Sequence, residues 1–178
     1  MKMLLHVIFG FSLALLALSA GCRGASYSGQ AVISQDIPQD LMITLERTVC
    51  LGYCPAYKLT ITADGAVVFE GRQFVKQKGA TLKSAISQER LKQMMAEFDR
   101  VKFFSLEDDY MDNPRVCAEN ETDHPSAFTS IRINGKSKTV KHYHGCQGPK
   151  VPKELTELEN KIDEIVNTAQ WLPDKKGR

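Results

Sequence analysis

The 178-residue chain has almost no charge of one sign to spare: 23 Lys and Arg stand against 21 Asp and Glu, a formal net charge of +2. That balance excludes a nucleic-acid module, which needs a clustered basic patch to neutralise a phosphate backbone. The chain also lacks an apolar run of the about 20 residues that span a bilayer, so it is not a polytopic membrane protein. There is no phosphate-binding loop, no dinucleotide fingerprint and no nucleophile motif around Ser84, Ser87 or Ser126. The acidic stretch Glu107-Asp108-Asp109-Tyr110-Met111-Asp112-Asn113 lacks the glycine and spacing of a calcium loop and reads as a solvated loop. With 25% charged residues and 43% hydrophobic ones, the composition is not that of a disordered tail. The length suits one domain, or a compact pair, and excludes a large enzyme.

The first segment that is present is an address. Lys2 precedes an apolar stretch from Leu4 to Leu18, roughly 15 residues long and too short to span a bilayer. It ends in Leu18-Ser19-Ala20-Gly21-Cys22, which resembles the lipobox of bacterial lipoproteins, with Ser19 where Leu, Val or Ile is usual. Residues 1–21 are therefore expected to be a cleaved signal and Cys22 the lipidated N-terminus, palmitate among its chains. Three acyl chains anchor durably, because each buried CH₂ contributes about 0.8 kcal/mol. Arg23 follows, with no Asp there to resemble an inner-membrane retention signal, so the expected location is the outer membrane, facing the periplasm. Residues 22–39 hold Gly24, Ser26, Ser28, Gly29 and Pro38 and read as a flexible tether reaching at most roughly 60 Å.

From Asp40 the pattern alternates strand and helix signals. Residues 42–49 read as a first strand, and 57–62 and 66–70 as a hairpin closed by Asp64-Gly65, with positive φ expected at both turn positions. A short strand is expected at 73–76. Ser87 caps a helix whose apolar stripe is Leu91, Met94, Met95, Phe98 and Val101, and Phe103-Phe104-Ser105-Leu106 closes it. The long segment from Glu107 to Pro125 reads as a loop. A second hairpin follows, over 130–133 and 138–143 around Asn134-Gly135. Pro152 opens a last helix with the stripe Leu155, Leu158, Ile162, Ile165, Val166 and Ala169, with Trp171 packing its end. The order predicts a single α+β domain over 40–173, a mainly antiparallel sheet of two hairpins plus an N-terminal strand covered by two helices, with a polar tail at 174–178.

The residues Glu46-Arg47-x-x-Cys50-x-Gly52-x-Cys54-Pro55-x-Tyr57, then Asp64-Gly65, Phe103-Phe104-x-Leu106, Thr122-Asp123-x-Pro125 and Lys138-Thr139-Val140-x-His142-Tyr143 form a recognisable set. Together they resemble DUF6438, a bacterial family of domains of unknown function, over roughly 43–171. The resemblance implies a secreted or lipid-anchored domain and no reaction. Cys117 and His144-Gly145-Cys146 are additions to the usual pattern.

With Cys22 taken by lipid, four cysteines remain, and an oxidising compartment suggests two disulfides with three connectivities. The pairing Cys50–Cys54 and Cys117–Cys146 is favoured, worth about 2 and about 3.6 kcal/mol in the loop-entropy model. A thiol-redox role for Cys50 and Cys54 would need a depressed pKa, for which Arg47 is the nearby cation. Three residues separate the two cysteines, against two in thioredoxin-like motifs. A metal-binding alternative uses His142, His144 and Cys146, which share a face if the strand continues, with His124 or Cys54 as a fourth ligand. The hairpin register gives His142 the parity of Ile131 and Ile133, so an inward-facing histidine is the simpler expectation. Glu46, Asp64, Asp123 and Glu119 are candidate carboxylates, but nothing in the sequence sets two of them across one bond. Glu46 and Arg47, being adjacent on a strand, face opposite sides, with one of them available for a buried ion pair.

The sequence therefore predicts a non-enzymatic, lipid-anchored envelope domain, with no catalytic residues, cofactor or metal assigned. Its membrane contact is the lipid, its partner an envelope protein or a small ligand, and nucleic acid is excluded. The expected contact surface joins Gly52–Tyr57 with Asp123–Pro125 and Tyr143, including Glu46, Arg47, Tyr57, Asp123, His142 and Tyr143.

Overall fold

The structure is a computed structural model that describes residues 36–174. The expected signal, Cys22, nearly all of the tether and the end of the polar tail lie outside these residues. The chain enters the domain at Ile37, which packs against the core, and Leu41 is buried.

Strand β1 (Met42–Arg47) is followed by β2 (Ala56–Thr62) and β3 (Ala66–Gln73), the first hairpin. Strand β4 (Thr81–Ala85) leads into helix α1 (Gln88–Arg100) and a short 3₁₀ turn at Phe103–Ser105. Two short bridges, β5 (Asp109–Tyr110) and β6 (Glu119–Asn120), interrupt the long acidic segment. The second hairpin is β7 (Ser126–Ile133) and β8 (Lys136–Tyr143); β9 (Cys146–Gln147) and helix α2 (Lys153–Val166) complete the order. The main sheet runs β4-β3-β2-β1-β7-β8-β5, antiparallel except where β5 lies parallel to β8. This is the α+β architecture that the alternation of hairpins and helices predicts. The first strand sits between the two hairpins, pairing with β2 on one side and β7 on the other.

Strand residues alternate between the two faces, and the buried set lies on one of them: Ile43 and Leu45, Tyr57, Leu59 and Ile61, Val67 and Phe69, Ala127 and Ile131, Val140 and His142. The helices bring Leu91, Met94 and Phe98 from α1 and Leu155, Leu158, Ile162, Ile165 and Val166 from α2 into the same core. Each of these large side chains contributes about 1.5–3 kcal/mol on burial. Ser87 Oγ accepts the amide of Arg90 and starts α1, and Arg90 Nη1 donates to the Ile165 carbonyl, tying the helices together. Trp171 closes the far end, its ring 4.6 Å from that of Phe69.

Several expectations need correction. The Asp64-Gly65 turn has positive φ only at Gly65 (83°), and its loop has three residues, Ala63–Gly65. Asp64 instead accepts from the Thr62 hydroxyl and the Ala66 amide. Asn134 (52°) and Gly135 (72°) do both take positive φ, as a two-residue loop demands. No separate strand forms at 73–76: Gln73 ends β3 and the chain turns at Phe74, whose φ is 53°; the next pairing segment is β4, with Leu82 its only partly buried apolar residue facing the core. The Glu107–Pro125 segment is more ordered than expected of a loop, since it buries Tyr110 and Val116 and adds β5 and β6.

Candidate functional site

At one end of the sheet the inward positions change from apolar to polar. After Ile43 and Leu45, the next inward residue of β1 is Arg47. It stands opposite Tyr57 on β2 and Ala127 on β7, and Ala127 stands opposite His142 on β8. Tyr57, Arg47, Ala127 and His142 therefore form one row across four adjacent strands. Helix α2 crosses above it, carrying Glu159 and Asp163 one turn apart on the side that faces the sheet.

The pairing across this gap is nearly complete. Tyr57 donates its hydroxyl to Asp163 Oδ1 at 2.7 Å, and Arg47 Nε donates to Asp163 Oδ2 at 2.9 Å. Arg47 Nη2 donates to Asn160 Oδ1 at 3.2 Å, while Nη1 lies 3.8 Å from Glu159 Oε2. His142 Nδ1 lies 2.8 Å from Glu159 Oε1, and His144 Nε2 lies 3.1 Å from Glu159 Oε2. The two imidazole rings are 4.5 Å apart, centre to centre.

A buried carboxylate is costly unless it is paired. Glu159 is fully buried, and burial opposes its ionisation. The hydrogen bond from His142, the His144 ring and the nearby Arg47 charge outweigh burial and hold the carboxyl below its ordinary range. Burial likewise opposes the Arg47 charge, but Asp163, Tyr57 and Glu159 around it keep the guanidinium firmly protonated. Tyr57 is pushed upward, first by burial and then by the Asp163 charge, so it stays a hydrogen-bond donor.

Around this row the loops close the same end of the sheet. Thr48 donates its amide to the Ser126 carbonyl and accepts the Ser126 amide on its hydroxyl. Leu51 donates its amide to the Asp123 carbonyl, and His144 donates its amide to the Pro125 carbonyl. Tyr143 donates its hydroxyl to the Glu121 carbonyl and accepts the His124 amide. Gly145 is required here by close approach, because a side chain would meet the Glu121 carbonyl and the Tyr143 ring. Cys50 and Cys54 are paired with Cα atoms 5.5 Å apart, and so are Cys117 and Cys146 at 5.2 Å.

The contact surface expected from sequence is thus split. Its loops do come together, with Asp123 exposed and Tyr143 half-buried. Tyr57 (2% exposed) and His142 (3% exposed) belong to the interior instead. Glu46 and Arg47 do face opposite sides: Glu46 pairs with Arg72 on the outer face, and Arg47 takes the inner ion pairs. The expected metal set also changes. Strand β8 ends at Tyr143, so the alternation His142, His144, Cys146 does not continue; Cys146 turns away to Cys117, and Glu159 meets the histidines in its place. Neither His124, at the surface against Glu121, nor Cys54 joins them. The remaining candidate carboxylates stand on separate elements: Asp64 in the first hairpin turn, Glu119 in β6 and Asp123 in the loop before β7. Arg47, the cation that could have lowered a nearby thiol pKa, is engaged by Asp163 and Asn160.

A family model matches residues 41–166, and its description is a domain of unknown function, DUF6438. The chain belongs to the DUF6438 family. No curated protein matches it. The match spans the whole polar row and both carboxylates of α2, so the row is built within the DUF6438 domain and not by a segment added to it.

Glu159 and Asp163 are the site residues that sequence reasoning missed. The signal was there: Glu159 lies four residues after Leu155 and three before Ile162, on the apolar stripe itself. A carboxylate at a stripe position is a buried carboxylate, and it needs partners.

Proposed function

We propose that this protein is a bacterial lipoprotein of the outer membrane, facing the periplasm, whose domain binds another envelope protein and catalyses no reaction. The observation that carries the binding reading is the distribution of exposed apolar side chains. Four large hydrophobic residues are exposed among the described residues, and three of them, Val49 (45%), Leu51 (80%) and Tyr53 (72%), lie in or beside the loop closed by Cys50–Cys54. The Tyr53 ring packs edge-on against Phe74 at 5.2 Å, so the loop is held before any partner arrives. Holding a contact loop in advance lowers the entropy cost of binding.

The cleft beside it, lined by Arg47, Thr48, Tyr53, Cys54, Pro55, Pro125 and Ser126, is about 210 Å³. Small-molecule sites usually enclose about 300–1,000 Å³, so a protein surface suits this end better than a small ligand. A larger depression of about 560 Å³ lies near Phe104, but its charged groups are already paired, Lys138 with Asp108 and Lys141 with Asp109. The lipid anchor rests on the Leu18-Ser19-Ala20-Gly21-Cys22 sequence. Among the described residues no helix is long and apolar enough to cross a membrane.

Both parts are tested in cells. Replacing Cys22 with Ser should abolish fatty-acid labelling and release the protein from the membrane fraction; retained labelling would refute the anchor. A photoreactive residue at position 51 or 53 should give a discrete cross-linked adduct, absent when placed at Glu89 on α1. Equal patterns at the three positions would refute the contact surface.

A further inference from the structure

The polar row contains one defect. Glu159 Oε2 and His144 Nε2 are both buried and 3.1 Å apart, an ion-pair distance, yet neither atom has a hydrogen-bond partner of good geometry. Buried polar atoms without partners are rare, and a pair facing each other implies a third group that both can bind. Arg47 does not supply it, since its nearest nitrogen is 3.8 Å from that oxygen and its charge is engaged by Asp163.

We propose that His142, His144 and Glu159 bind one divalent transition-metal ion. The donor set is two imidazoles and one carboxylate, which suits zinc and its neighbours in the first transition row and is a poor match to calcium or magnesium. The ligand atoms of the three residues lie within 4.8 Å of one another. Tetrahedral ligands held at about 2.1 Å stand about 3.4 Å apart, so the widest pair closes by at most about 1.4 Å, or about 0.7 Å per side chain. The support is rigid: Glu159 sits mid-helix on α2, His142 in a paired strand, and His144 is held by the hydrogen bond its backbone N–H donates to the Pro125 carbonyl. Glu159 is fully enclosed and His142 nearly so, whereas the His144 side chain is 20% exposed and is the ligand nearest solvent. This proposal is independent of the contact loop, which lies outside the ligand set.

The test uses zinc chloride and the full chain purified without a polyhistidine tag, stripped by a chelator and kept oxidised so that Cys117 and Cys146 stay paired. Calorimetry, with elemental analysis after desalting, should find one zinc per chain. His144→Ala should weaken binding by at least about 100-fold. His124→Ala, which alters the surface histidine, should bind as the unaltered chain does. Near-ultraviolet circular dichroism checks that each variant is folded. A second measurement needs no variant: zinc should protect His144, but not His124, from diethylpyrocarbonate, as mapped by mass spectrometry. Absence of stoichiometric zinc, equal affinity in a folded His144→Ala chain, or unprotected His144 in the zinc-loaded protein would each overturn the proposal.

Discussion

A single side chain, Glu159, organises the polar end of this domain. It faces two histidines and an arginine from a helix whose neighbouring inward positions are Leu155, Leu158 and Ile162. Deleting one member of such a group leaves the others buried without a counter-charge, which costs more than the interaction itself contributes. Glu159→Ala is therefore expected to lower stability by about 3–5 kcal/mol, read as the midpoint of urea unfolding. A loss under 1 kcal/mol would mean that the histidines and Arg47 find other partners.

At the scale of elements, the sheet depends on long-range pairing of β1 with β7, and one carboxylate fastens it. Asp40, just before β1, accepts the amides of Asn134 and Gly135, the two turn residues of the second hairpin, at 2.9 and 2.7 Å. These bonds, from Gly135 first and then Asn134, hold the Asp40 carboxyl below its ordinary value of 3.8. A group whose pKa is lowered by folding stabilises the fold above its unfolded value, and that contribution disappears as pH falls through the folded one. Stability should accordingly decline as pH falls below about 4, and Asp40→Asn should flatten part of that decline. Parallel urea titrations of the two chains with identical acid slopes would contradict this.

For the molecule as a whole, the two disulfides have unequal roles. Cys50–Cys54 closes a local loop with a sequence separation of 4, whereas Cys117–Cys146, with a separation of 29, ties the acidic segment to the strand that follows the second hairpin. That segment also carries Val116 into the core and pairs β6 with β9. Replacing both members by Ser should cost about 3.6 kcal/mol at Cys117–Cys146 and about 2 kcal/mol at Cys50–Cys54, since the longer loop restricts the unfolded chain more. The reverse order in thermal unfolding would show that native-state strain, and not loop length, sets the balance.

The sequence by itself determined whatever is encoded within a few residues. Ser87 with the stripe Leu91, Met94 and Phe98 specifies α1, and Asn134-Gly135 specifies a two-residue turn, because capping and positive φ are local properties. It also placed Glu46 and Arg47 on opposite faces, since strand alternation needs only two neighbours. β4 was not legible, having Leu82 alone to mark its inward face, nor were β5 and β6, each two residues long and paired only with distant chain. The site itself was decided by tertiary structure. That Tyr57, Arg47, Ala127 and His142 fall in one row depends on the registers of three strand pairings, only one of them, β7 with β8, set by a hairpin turn. That Glu159 and Asp163 meet this row depends on how α2 lies across the sheet. Such coincidences arise from packing between separate elements, from 17 residues apart for His142 and Glu159 to 116 for Arg47 and Asp163, where no local periodicity carries information.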